Sequence, residues 1–144
     1  MHSKTDTVVI YTDGGARGNP GPAAAGAVLF DAQGNVLREI SDYLGETTNN
    51  VAEYEALVRS LMAAVELFGN KLKDMHVDVR MDSELIVRQM TGLYKVKNEK
   101  LKILFSIAAN LRMTQIPNMT FTHVPREKNK HADALVNKAI DAHI

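Results

Sequence analysis

The sequence predicts an α/β fold in which helices pack against one mixed sheet. Two observations lead to it. The elements run as three strands, a helix, a strand, two helices, a strand and a helix, so that helices follow strands. The apolar spacing also switches repeatedly between the two-residue period of strands and the 3.6-residue period of helices, at segments marked by glycine, asparagine and proline. No internal repeat, low-complexity segment or interdomain linker interrupts the pattern.

Val8-Val9-Ile10-Tyr11-Thr12 is a β-rich run with little polar alternation, which predicts a central strand covered on both faces and ending at Asp13-Gly14-Gly15. Gly14 to Pro22 is rich in glycine and proline and is expected to be a loop. Ala25 to Phe30 and Val36 to Leu44 follow as strands, with Asp31 to Asn35 closing the hairpin between them. From Thr48 to Phe68 the apolar residues Tyr54, Leu57, Leu61, Ala64 and Phe68 share one helical stripe, stopped by Gly69-Asn70. Met75, Val77, Val79 and Met81 then alternate with polar residues as a strand ending at Asp82-Ser83. A short helix to about Gly92, a helix from Asn98 to Met113, a strand from Met119 to Val124 and a last helix from Lys130 to His143 complete the chain.

With 144 residues, 45% hydrophobic and 24% charged, the chain suits one self-supporting domain, residues 1–144, with about 1–6 as an N-terminal tail. There is no cysteine, so any metal must be held by oxygen or imidazole. The polar start and the short apolar runs predict neither a secretory signal nor a membrane span, and a cytoplasmic monomer with no obligate protein partner is expected. Formal net charge is zero, so attraction to nucleic acid must come from local patches. Lys95, Lys97, Lys100 and Lys102 form one candidate; Arg126, Lys128 and Lys130 form another; taken alone, each reads more readily as a solvated surface.

Four acids sit where solubility does not explain them. Asp13 and Asp82 end strands, while Glu53 and Asp133 share a side with the apolar stripes of their helices. Carboxylates against a core are costly alone and repel one another together, a conflict that a divalent cation would resolve. Magnesium suits such oxygen ligands, and a two-ion site would serve in-line displacement at phosphorus, so the reaction class inferred is phosphodiester hydrolysis. Each acid has an ordinary alternative: Asp13 as a turn residue, Asp82 or Ser83 as a helix cap, Asn50 with Glu53 as a capping box, Asp133 beside Lys130 or Asn137.

Taken together these residues resemble the type 1 ribonuclease H family over roughly Val8 to Ala139. The likeness rests on Tyr11-Thr12-Asp13-Gly14-Gly15 with Gly18-Asn19-Pro20-Gly21, on Thr48-Asn49-Asn50-Val51-Ala52-Glu53-Tyr54, on Asp82-Ser83, and on Ala132-Asp133 with Asn137. The resemblance implies a ribonuclease-H-like sheet of five strands, three antiparallel then two parallel, with helices on both faces. It implies that Asp13, Glu53, Asp82 and Asp133 are catalytic and metal-binding, with Asp13 shared by two Mg2+ ions that Mn2+ can replace. It further implies endonucleolytic cleavage of the RNA strand of RNA/DNA hybrids, leaving 5′-phosphate and 3′-hydroxyl ends, with double-stranded RNA as a further candidate substrate. Gly14, Gly15, Asn19, Asn49 and Asn50 would then contact the minor groove, and Thr48 a phosphate of the DNA strand. Amide side chains suit this role because a ribose 2′-hydroxyl both donates and accepts.

Two departures from the family pattern stand out. Only Pro125 to Ala132 separates Val124 from Asp133, so the family's loop histidine is missing; Arg126, Lys128 and His131 are the nearby candidates for an accessory role, and His123 is expected to be packed in the core. Leu93 to Lys100 replaces the basic handle that some members insert, and no separate hybrid-binding domain is expected before the first strand. A non-catalytic binding module of the same fold, an exonuclease and a sugar-kinase-like ATPase are the competing readings. A pure binder gains nothing from acids beside a phosphate; the exonuclease's Asp-x-Glu is replaced by Asp13-Gly14-Gly15; the glycine loop lacks the Gly-Lys-Ser/Thr ending of a P-loop.

Overall fold

The computed structural model describes residues 6–144. Strands β1 (Thr7–Ala16), β2 (Gly21–Phe30), β3 (Val36–Thr47), β4 (His76–Met81) and β5 (Met119–His123) form one sheet in the order β3-β2-β1-β4-β5. The first three are antiparallel neighbours, and β4 and β5 run parallel to β1, as the resemblance implied. Helices α1 (Asn49–Phe68), α2 (Glu84–Met90), α3 (Glu99–Thr114) and α4 (Lys130–Asp141) complete the mixed architecture. Of the expected tail, residues 1–6, only Asp6 lies within the described residues, and its carbonyl accepts a bond from His76 N at 3.0 Å, which ties it to the sheet.

The first strand departs from expectation twice. It does not stop at Asp13: Gly14, Gly15 and Ala16 stay paired with Ala25, Ala24 and Ala23, so the predicted loop shrinks to residues 17–20. Glycine here marks a close backbone approach rather than a turn. Nor is β1 sealed on both faces. Val8, Ile10, Thr12 and Gly14 are buried, while Val9, Tyr11 and Asp13 are half-buried. The strand covered on both sides is β2, where Ala23 to Leu29 are all buried and side chains small enough to admit helices above and below dominate. On the open part of the other face Arg80 joins Tyr11 Oη (2.8 Å) to Asp78 (2.9 Å), which also accepts from Thr120 and Thr122.

The main core lies under α1, whose Tyr54, Leu57 and Leu61 meet Val8, Ile10, Val77 and Val79 of the sheet. Thr48 caps α1, its hydroxyl accepting from Val51 N, so the capping box considered for Asn50 and Glu53 is not formed. The helix ends at Gly69 (φ 54°), and an unforeseen 3-10 segment, Gly69–Asp74, follows and buries Leu72. Ser83 and Asn98 cap α2 and α3. His123, expected in the core, is exposed, its Nε2 3.3 Å from the Asp82 carbonyl. It falls at the far end of an edge strand, beyond the cover that buries Met119 and half-buries Phe121. No helix among the described residues is long and apolar enough to cross a membrane.

Candidate active site

The strand pairing explains how distant acids meet. Thr12 lies beside Met81 in the parallel pair β1/β4, so Asp82, just past the end of β4, stands beside Asp13, which remains within β1. Across the antiparallel pair β1/β2, Asp13 lies opposite Gly26, and paired residues project from the same face. A Cβ on Gly26 would fall 2.4 Å from Ala132 O and 3.0 Å from Val136 N, so the backbone of α4 occupies the space a side chain would need. Asp133 follows Ala132 directly and thereby reaches Asp13. On the opposite face, a Cβ on Gly14 would fall 2.2 Å from the carbonyl carbon of Ala52 and 2.3 Å from Glu53 N, which seats Glu53 against the end of β1. Gly14, buried under α1, serves this packing and also lines the cleft, as does Gly15, half-buried beside it.

The four predicted carboxylates line one cleft, together with Arg126, Asn49 and Asn137. Burial, then the charges of Asp82 and Asp133, push the Asp13 carboxyl from 3.8 up to about 8, with a hydrogen bond to Asp133 and the charge of Glu53 adding to it. Glu53, only 8% exposed, is pushed up to about 7 by burial and by Asp82, against opposing pulls from Ser83, Asn49 and Arg126. Asp133 is exposed at the rim and is met by Asn137 Nδ2 at 3.4 Å, not by Lys130. Among the described residues no three acids or histidines are already closed around a point as a metal cluster. The donors are nonetheless all oxygen, face a common space and are short of positive charge, a set that fits a hard divalent cation.

The remaining predicted residues divide. Asn19 Oδ1 accepts from Asn49 N (3.1 Å), tying the glycine loop to the start of α1. The Asn49 side chain accepts from Ala16 N (3.3 Å) and donates to Glu53 (3.2 Å), so it braces the carboxylate and has less freedom for substrate. Asn19, Thr48 and Asn50 line a second, shallow depression that Lys100 and Asn98 complete, which brings one member of the first basic run to the predicted substrate surface. Arg126 faces the cleft; Lys128, exposed on the 3-10 turn Arg126–Lys128, does not line it. His131 is not an accessory to the site: it pairs with Glu39 on β3 at 2.5 Å and packs on Phe30, because its place two residues before Asp133 turns it to another side of α4.

One residue the sequence reading missed is Asn129. Buried at the start of α4, it donates to the carbonyl of Thr12 at 2.8 Å and so fastens α4 to β1 one residue from Asp13. Its only sequence signal was an asparagine just before a helix, which reads as a cap.

Comparison with known proteins agrees with this geometry. A family model described as reverse transcriptase-like matches residues 11–139. The structure of a ribonuclease H1 isolated from compost by a metagenomic approach is 61% identical, with a TM-score of 0.90 over 96% of this chain and 98% of that one, and the same enzyme has been solved in complex with an RNA/DNA hybrid. A bifunctional protein of Mycobacterium tuberculosis is 45% identical over 136 residues, 94% of this chain but 36% of that protein, so this chain spans about a third of its length. The ribonuclease H of Paramagnetospirillum magneticum is 31% identical over 95% of this chain and 92% of its own length. With these matches and four acids in one cleft beside the end of β4, the chain belongs to the type 1 ribonuclease H family.

Proposed function

We propose that the chain is an endoribonuclease that hydrolyses the RNA strand of RNA/DNA hybrids, with Asp13, Glu53, Asp82 and Asp133 holding two Mg2+ ions, replaceable by Mn2+. The observation that carries this reading is the convergence of the four carboxylates on one cleft, where burial first and then mutual repulsion push Asp13 up to about 8 and Glu53 up to about 7. Such ions, when bound, supply charge at the phosphate and the acidity that makes water nucleophilic near neutral pH. The chain's own groups do the rest. Asn49 and Ser83 hold the Glu53 carboxylate by hydrogen bonds, and Arg126 adds a positive charge beside it. The Nδ2 of Asn19, whose Oδ1 is engaged by Asn49 N, the exposed amide of Asn50 and the backbone around Gly15 are placed to read 2′-hydroxyls in the minor groove, without base contacts. Thr48 Oγ1, which accepts from Val51 N, keeps its own proton for a phosphate oxygen of the DNA strand, with Lys100 adjacent.

Matched RNA/DNA, RNA/RNA and DNA/DNA duplexes, incubated with and without magnesium, test this together with Asp82→Asn. We expect magnesium-dependent cuts in the RNA of the hybrid, leaving 5′-phosphates, and a loss on the order of a thousandfold in the folded variant. Cleavage of all three duplexes alike, or normal turnover by Asp82→Asn, would refute it.

A further inference from the structure

The residue that follows β1 carries a charge that the site so far leaves without a role. The loop at 17–20 is tightly closed: Arg17 N donates to Pro22 O (2.9 Å), and a Cβ on Gly21 would fall 2.0 Å from Arg17 O. The Arg17 backbone is thus fixed, and its side chain crosses to α4 along the wall of the carboxylate cleft. There Nη2 is 2.7 Å from Asp141 Oδ1 and 3.2 Å from Asn137 Oδ1. Both contacts use the same nitrogen, so Nη1 and Nε have no protein acceptor among the described residues.

Asp141 closes the last turn of α4, where an acid opposes the helix dipole, and the helix therefore does not favour its charge. The pair is exposed, 39% and 65%, and an ion pair so open to water is readily exchanged. A nucleic-acid strand reaching Asp13 meets four carboxylates, and among the described residues the cations on the cleft wall that can offset them are Arg17 and Arg126. A guanidinium is suited to this because its fork of N–H donors can engage two phosphate oxygens at once.

Building on the hybrid-cleaving reading above, we propose that Arg17 is a binding residue for the strand in the cleft, exchanging Asp141 for a backbone phosphate. Asp141 is then an internal competitor, and the apparent affinity for hybrid is set by the contest between carboxylate and phosphate for one guanidinium.

The test is hybrid binding, followed by fluorescence anisotropy in EDTA so that turnover is not needed, for the full chain and for Arg17→Ala, Asp141→Asn and the double variant across a salt series. We expect Arg17→Ala to raise Kd about tenfold at low salt and to flatten the slope of log Kd against log salt by about 0.9, one phosphate contact. Asp141→Asn should lower Kd by about threefold, and that gain should vanish in the Arg17→Ala background, because the competitor then has nothing to compete for. Three results overturn the proposal: Arg17→Ala binding as the unsubstituted chain does; Asp141→Asn weakening binding as Arg17→Ala does, the mark of a pair that only braces α4; or the Asp141→Asn gain persisting without Arg17, the mark of a general charge effect. An unsubstituted chain that binds no hybrid in EDTA and cleaves none with magnesium overturns the function reading along with the proposal, whereas one that binds in EDTA but does not cleave with magnesium overturns only the activity.

Discussion

Replacing Asp13 by Asn should stabilise the metal-free protein at alkaline pH while removing a site ligand. Burial and the surrounding acids hold the Asp13 carboxyl at about 8, against 3.8 for an unperturbed side chain. Between these values the folded state keeps a proton that the unfolded state has released, so stability falls as pH rises through the window. The contribution is fully present below pH 3.8 and is lost by about pH 8. At about 1.4 kcal/mol per unit, a window of about four units sets a ceiling near 6 kcal/mol. Glu53 shares the repulsion of Asp82, and water in an open cleft screens part of it, so about 2 kcal/mol is the expected effect. For a chain of 144 residues this places the melting temperature of Asp13→Asn roughly 5 °C above the unsubstituted chain at pH 8 in EDTA. At pH 5, only about 1.2 units above the unperturbed 3.8, the gap should shrink to roughly a third of its pH 8 value. Magnesium at pH 8 should raise the unsubstituted chain and leave the variant almost unmoved, since only the former keeps the full ligand set. Thermal unfolding followed by circular dichroism from pH 5 to 9 measures all of this. A gap of the same size at pH 5 and pH 8, or an equal magnesium shift in both proteins, would refute the reasoning.

Gly26→Ala tests the seating of α4: with Ala132 O in the place of the new methyl, α4 must move away from Asp13, at a cost of about 2 kcal/mol in urea unfolding. The magnesium concentration for half-maximal activity should rise with it, and an unchanged value would show that the placement of Asp133 does not depend on this contact. His131→Ala should leave kcat and KM within about twofold and stability within about 1 kcal/mol, because the imidazole is engaged by Glu39 outside the cleft; a tenfold fall in kcat would return the histidine to the reaction.

The elements that were legible in sequence are those whose signal is periodic. The α1 stripe from Tyr54 to Phe68, its stop at Gly69, and the alternation around β4 all lie where expected, because burial on one face imposes its period on the residues. Failures came where one residue type serves two purposes. Gly14 and Gly15 read as a turn, yet they extend β1, because a glycine needed for a bend and one needed to admit a neighbouring backbone are the same letter. His123 kept the phase of a buried strand residue but lies past the end of the cover that would bury it. Asn49 was expected to contact substrate and Asn129 drew no reading; their braces to Glu53 and Thr12 depend on which atoms stand opposite them.

By itself the sequence determined the kinds of element, their order, and the four acids whose positions on or beside apolar strands and helical stripes have no solvation purpose. Only the tertiary structure decided that these acids share one cleft, that β2 rather than β1 is the strand sealed on both sides, and that Arg17 crosses to α4. The reason is that periodicity reports whether a residue faces inward, whereas convergence depends on strand register and on how closely two backbones approach. At Gly14 and Gly26 that approach is set by the absence of a single carbon atom, which means nothing until the helix that fills its place is known.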